Sequence, residues 1–173
     1  MPGAGWSADP GGWQMPRPVT YAEHVDQVTA WITSGDLDAA AAGLVAARRA
    51  GGGAGLRPLL EPVAGLPRPQ LTALVHALLR QRRAHGGWPV DSVLGAVCPL
   101  LPPDLPPDLV AELLTFAVDS SYDLPVMTLA GLVAQQLRHG ALPPAVLALM
   151  ERRKRESLWL RELAASAAAR AVR

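Results

Sequence analysis

The amino-acid sequence is that of an all-α protein, on three grounds. Ala and Leu dominate the apolar residues and are strong helix formers, while β-branched runs are scarce. Apolar residues recur at helical spacing in one segment after another. Prolines open these segments and glycines close several of them, the asymmetry expected of helix ends. The chain has 173 residues, half of them hydrophobic and only 5% aromatic. That suffices for one core of Leu, Val and Ala packed helix on helix.

Residues 1–18 read MPGAGWSADPGGWQMPRP. Gly and Pro dominate, helical periodicity is absent, and the expectation is a flexible tail. It carries Trp6 and Trp13, which either dock on the protein's own body or insert into a partner's groove as a short peptide. Residues 19–173 read as a single helical domain. Thr20-Tyr21-Ala22-Glu23 matches a capping box, and Val25, Val28 and Ile32 follow at helical spacing. Ser34-Gly35 ends that helix, and Asp36 can cap the next, which runs to Arg49. Gly51-Gly52-Gly53 stops the second helix and reads as a flexible joint. Residues 56–65 predict a short helix made irregular by Pro58 and Pro62. Further helices are expected to start near Pro67/Pro69, Pro89, Pro106/Pro107, Pro125 and Pro143/Pro144, with Gly86 and Gly140 as stops. The helix opened by Pro89 is expected to run to Leu101, and the last one from Leu158 to Val172.

Alignment of these segments exposes a period. Leu66-Pro67-Arg68-Pro69, Leu105-Pro106-Pro107-Asp108 and Leu142-Pro143-Pro144-Ala145 each precede an apolar helix, and a second helix follows each. Pro69, Pro107 and Pro144 lie 38 and 37 residues apart. Two helices per unit at this length resemble HEAT and armadillo repeats over residues 67–173. The resemblance implies a right-handed stack of about four helical hairpins, with 20–50 as a capping unit. The alternative is a compact irregular bundle of evenly spaced helices. The 34-residue TPR unit is shorter, and its Trp/Gly/Tyr pattern is missing.

Net charge is +1, too low for a general nucleic-acid coat. It is distributed in blocks: −4 over 1–47, +6 over 48–90, −6 over 91–137 and +5 over 138–173. Opposite blocks on neighbouring layers can attract across their solvent edges; a polar binding surface or head-to-tail self-association is the functional counterpart. Two basic clusters stand out: Arg80, Arg82 and Arg83 with His85, and Arg152, Arg153, Lys154 and Arg155. Both fall near expected helix C-termini, where cations complement the exposed carbonyls. A phosphate or acidic-peptide site would require them to face one groove.

No catalytic motif is found. Gly51-Gly52-Gly53-Ala54-Gly55 lacks the Lys-Ser/Thr of a phosphate loop. His24, His76, His85 and His139 lack metal-ligand spacing, so no metal or cofactor is expected. Glu23, His24 and Asp26 cluster in sequence but diverge on a helix. Asp119 and Asp123 flank a loop, where turn formation is their expected work. Cys98 cannot form an intrachain disulfide and is expected as a small buried hydrophobe. No apolar run approaches 18 residues and no signal-peptide pattern is present, so a cytoplasmic location is expected.

The architecture therefore suggests a non-catalytic protein–protein interaction or scaffold module, with another protein or a second copy as partner. A nucleic-acid- or phosphate-associated accessory protein using the Arg clusters is the alternative. Some HEAT-like folds act as DNA glycosylases, for which Trp31, Trp88 and Trp159 could be offered, but that is analogy of fold. The acidic 91–137 block argues against a continuous basic groove, and tryptophans that are buried or pack within hairpins are expected instead.

Overall fold

The computed structural model describes residues 19–51 and 55–171. Trp6, Trp13 and most of the Gly51–Gly55 joint lie outside the described residues. Among those described, the chain forms nine α-helices and no strand: α1 (Tyr21–Ser34), α2 (Leu37–Ala50), α3 (Arg57–Ala64), α4 (Arg68–His85), α5 (Trp88–Val97), α6 (Pro107–Asp119), α7 (Val126–His139), α8 (Pro144–Arg153) and α9 (Leu158–Ala171).

Local chemistry explains most boundaries. The Thr20 hydroxyl accepts from the Glu23 N–H at 3.3 Å, and the Glu23 carboxylate accepts from the Thr20 N–H at 2.7 Å, completing the capping box. Gly35 stops α1 in the left-handed conformation (φ 79°), which a Cβ would strain. The Asp36 carboxylate then accepts from the Ala39 N–H at 3.1 Å and caps α2. Proline occupies the first or second position of α3, α4, α5, α6 and α8. The helix expected to reach Leu101 ends earlier. It closes at Val97, followed by one 3-10 turn over Cys98–Leu100. Pro99 has no N–H to continue the ladder, and its ring crowds the carbonyl four residues back.

Consecutive helices pair as hairpins: α1 with α2, α4 with α5, α6 with α7, and α8 with α9. In the C-terminal half, the first helices α6 and α8 pack on each other, as do the second helices α7 and α9. The N-terminal half is less regular. There α2 packs on both α4 and α5, while α3 touches α1 and α5. One continuous aliphatic core runs through all of these helices, and Phe116 is its one fully buried aromatic among the described residues. Close packing uses glycine twice. A Cβ at Gly43 would collide with the Trp31 ring across the first hairpin, and one at Gly95 would collide with the Tyr122 ring.

The tryptophans divide. Trp31 is half-buried and packs within its hairpin as expected. Trp88 is 46% exposed, with the Arg48 guanidinium 4.2 Å over its ring. Trp159 is 63% exposed, against the expectation of burial. It sits in the first turn of α9, where Leu160 takes the inward position of the helical stripe.

Candidate partner-binding surface

The two basic clusters sit at the C-terminal ends of α4 and α8, where the exposed carbonyls favour cations. Their surroundings differ. In the first cluster every arginine has an acidic partner: Arg80 with Asp38 on α2, Arg82 with Asp91 on α5, and Arg83 with Glu112 on α6. Arg68, at the other end of α4, pairs with Asp104. The basic 48–90 block is thus tied to the acidic blocks on both sides. Three of these four pairs are exposed and individually weak.

The Arg82–Asp91 pair is different. Asp91 is only 3% exposed, and its carboxylate receives four hydrogen bonds. Arg82 Nε donates to Oδ1 at 2.8 Å. The Ser120 hydroxyl at 2.9 Å, the Ser121 N–H at 3.0 Å and the Ser121 hydroxyl at 3.3 Å all donate to Oδ2. The Arg82 guanidinium also lies 5.2 Å from the Phe116 ring centroid. Asp91 therefore fastens α4 and the α6–α7 loop to α5. A carboxylate this buried and with this many donors is a structural knot.

The second cluster splits. Arg153 is buried and faces inward: it grips Glu156 through three bonds of 2.8–3.2 Å and donates to the Leu124 carbonyl at 2.7 Å. Its hydrogen bonds with Glu156 raise the arginine's pKa and hold the glutamate's below the ordinary carboxylate value. The α6–α7 loop is thus held from two sides, by Asp91 at Ser120–Ser121 and by Arg153 at Leu124. Lys154 pairs with Glu151 at 2.6 Å. Arg152 and Arg155 point outward, and no acid pairs with them among the described residues. Arg161 is likewise exposed and without an acidic partner. Leu158 and Trp159, both more than 60% exposed, lie in the same stretch of chain.

The two clusters do not share the cleft in which the first takes part. Arg82 and Arg83 line a cleft between α4 and α6 with Leu79, Glu112, Thr115 and Phe116, and no residue of 152–155 enters it. The remaining chemistry is sparse. Among the described residues no group of three metal-ligating side chains comes together. Glu23 is engaged in the capping box beside His24. Burial pushes the Cys98 thiol up to about 12, so it is a neutral thiol at physiological pH. No helix of the described residues is long and apolar enough to cross a membrane.

Sequence reasoning named Arg80, Arg82, Arg83, Arg152, Arg153, Lys154 and Arg155 as one class. Of these, Arg152 and Arg155 alone have no partner among the described residues. The spacing of acids in sequence could not show this, because the partners lie up to 42 residues away. Leu158, Trp159 and Arg161 were missed as a surface, although their adjacency to the basic run was a usable signal. Comparison with protein-family models, with curated proteins and with solved structures finds no match.

Proposed function

We propose that this chain is a non-catalytic protein-binding module whose contact surface is the α8–α9 turn. One observation carries the reading: Leu158 and Trp159 stand exposed in the same stretch of chain as Arg152, Arg155 and Arg161, three exposed guanidiniums without acidic partners among the described residues. Trp and Arg are the residues most often found at interface hot spots, where an aromatic anchor enters a pocket and charges set orientation. The partner surface that fits is acidic around an apolar pocket. The packing of α6 on α8 and α7 on α9 supports a HEAT-like stack for the C-terminal half, which would put this turn at the rim of the last unit.

A photo-crosslinking amino acid placed at Trp159 in the full chain tests the reading inside cells. A discrete protein adduct from position 159, lost when Arg152, Arg155 and Arg161 are all changed to Ser, is the expected result. Equal adducts from a control position at Gln70 on α4 would refute it. An exposed Trp beside Arg is also a platform on which bases stack, so a nucleic-acid role has one observation in its favour. Titration with a fluorescent oligonucleotide at low salt separates the two. Binding that falls steeply with salt and with Trp159→Ala would favour the nucleic-acid reading.

A further inference from the structure

A cleft of about 450 Å³ opens between α7 and the segment 98–105, which joins α5 to α6. That segment carries Pro99, Pro102 and Pro103 and cannot continue as helix. It is instead pinned along α7, by the Leu105 N–H donating to Gln135 Oε1 at 2.9 Å and by Arg138 donating to the Pro103 carbonyl at 3.2 Å. The walls are apolar, formed by Leu101 and Leu105 on one side and Met127 and Leu132 on the other. Gly131 lines the cleft, and a Cβ there would meet nothing within 4 Å, so α7 faces open space at this position. Met127 stands 62% exposed at its edge.

Three polar side chains line this cleft: the Thr128 hydroxyl, the Gln135 carboxamide and the Arg138 guanidinium. Gln135 is only 6% exposed, and its oxygen is occupied by the Leu105 N–H. That bond fixes the orientation of the carboxamide, so its NH₂ is the free end. No acceptor among the described residues takes that NH₂, and no fully buried side-chain polar atom is left without a partner. The NH₂ is therefore open to the cleft that Gln135 lines. Arg138, nearly one helical turn further on, lines the same cleft and has no acidic partner among the described residues. No Asp or Glu lines the cleft, and the neighbouring Asp104 is held by Arg68. Apolar walls with an amide donor and a cation at one end match a ligand with an apolar body and an anionic acceptor head. The volume falls within the roughly 300–1,000 Å³ of small-ligand sites.

We propose that this cleft binds an apolar-chain carboxylate. The carboxylate accepts from the Gln135 NH₂ and the Arg138 guanidinium, and the chain lies along Met127, Leu132 and Leu101. A free fatty acid and the C-terminus of an apolar peptide share this chemistry. The site is separate from the α8–α9 turn, and neither proposal depends on the other.

The test is titration of the full-length, isotope-labelled protein, followed by amide and side-chain NMR shifts. One arm uses decanoate below its micelle concentration, and the other an apolar tetrapeptide with a free C-terminal carboxylate. Saturable shifts at Gly131, the Gln135 side-chain NH₂ and Arg138 are expected in at least one arm, and the tighter arm identifies the source. Decanol and the amidated peptide should bind at least tenfold more weakly. Gln135→Glu keeps the acceptor for Leu105 but replaces the donor with a negative oxygen, so it should weaken binding at least tenfold. Arg138→Gln should weaken it several-fold, and Gly131→Leu should block the cleft. Three results would overturn the proposal: no shifts in either arm, decanol binding as tightly as decanoate, or binding unchanged in both Gln135→Glu and Arg138→Gln. Binding seen only after removal of residues 1–18 would also overturn it, assigning the cleft to the chain's own N-terminal segment.

Discussion

The C-terminal ends of α4 and α8 carry nearly the same sequence feature and use it in opposite ways. Each is a run of arginines closing a helix, yet at α4 the arginines meet acids on α2, α5 and α6. At α8 only Arg153 turns inward, and Arg152 and Arg155 stay in solvent, in the same stretch of chain as the exposed Leu158 and Trp159. The difference is one of neighbours. Helix α4 lies between two acidic stretches of chain, which supply carboxylates from both directions. Nearby acids at α8 are taken up locally, Glu151 by Lys154 and Glu156 by Arg153. A basic cluster is therefore informative only after its intramolecular partners are counted.

Mutations that separate the two ends should rank accordingly. The largest effect is expected at Asp91. Asp91→Ala leaves Arg82 and the Ser120–Ser121 loop without their acceptor, and chemical denaturation should show a loss of about 3 kcal/mol. A loss below about 0.5 kcal/mol, the range of ordinary surface changes, would break the contrast. Next comes Arg153→Ala, which strands the buried Leu124 carbonyl and should cost about 1–3 kcal/mol. In the same variant the Glu156 carboxyl, no longer held down by Arg153, should titrate higher by NMR.

Smaller still is Arg83→Ala at the exposed pair with Glu112, expected at about 0.2–1 kcal/mol and diminished by added salt. Changing Arg152, Arg155 and Arg161 together should move stability by no more than about 0.5 kcal/mol for each residue, while removing the crosslinked adduct expected from position 159. A large drop in melting temperature would mean that these arginines serve the fold after all.

Cys98 should have no effect at neutral pH. Its thiol should resist a thiol reagent at pH 8 in the folded chain and react once the chain is unfolded. The linkage has a defined sign. Below the ordinary thiol value of 9.0 both states are protonated, and between there and about 12 only the unfolded chain ionises. Stability should therefore fall across that alkaline window, and denaturation measured from pH 8 to 11 checks it.

The helices and almost all of their ends are legible in local sequence. The signals involved act within a turn or two: the Thr20–Glu23 box, the Asp36 cap, glycine after His85 and His139, proline at the openings. The burial of Cys98 is legible there too, because its neighbours are apolar. Tertiary structure alone decided which charges are free. Arg80, Arg82 and Arg83 find partners 42, 9 and 29 residues away, and such pairings depend on how helices lie against one another. The same holds for Gln135, an ordinary polar residue in sequence, whose oxygen is claimed by Leu105 thirty residues earlier. Only that long-range bond leaves its NH₂ facing a cleft. Local chemistry is written in adjacent residues, whereas the use of a side chain is set by what the packed chain brings opposite it.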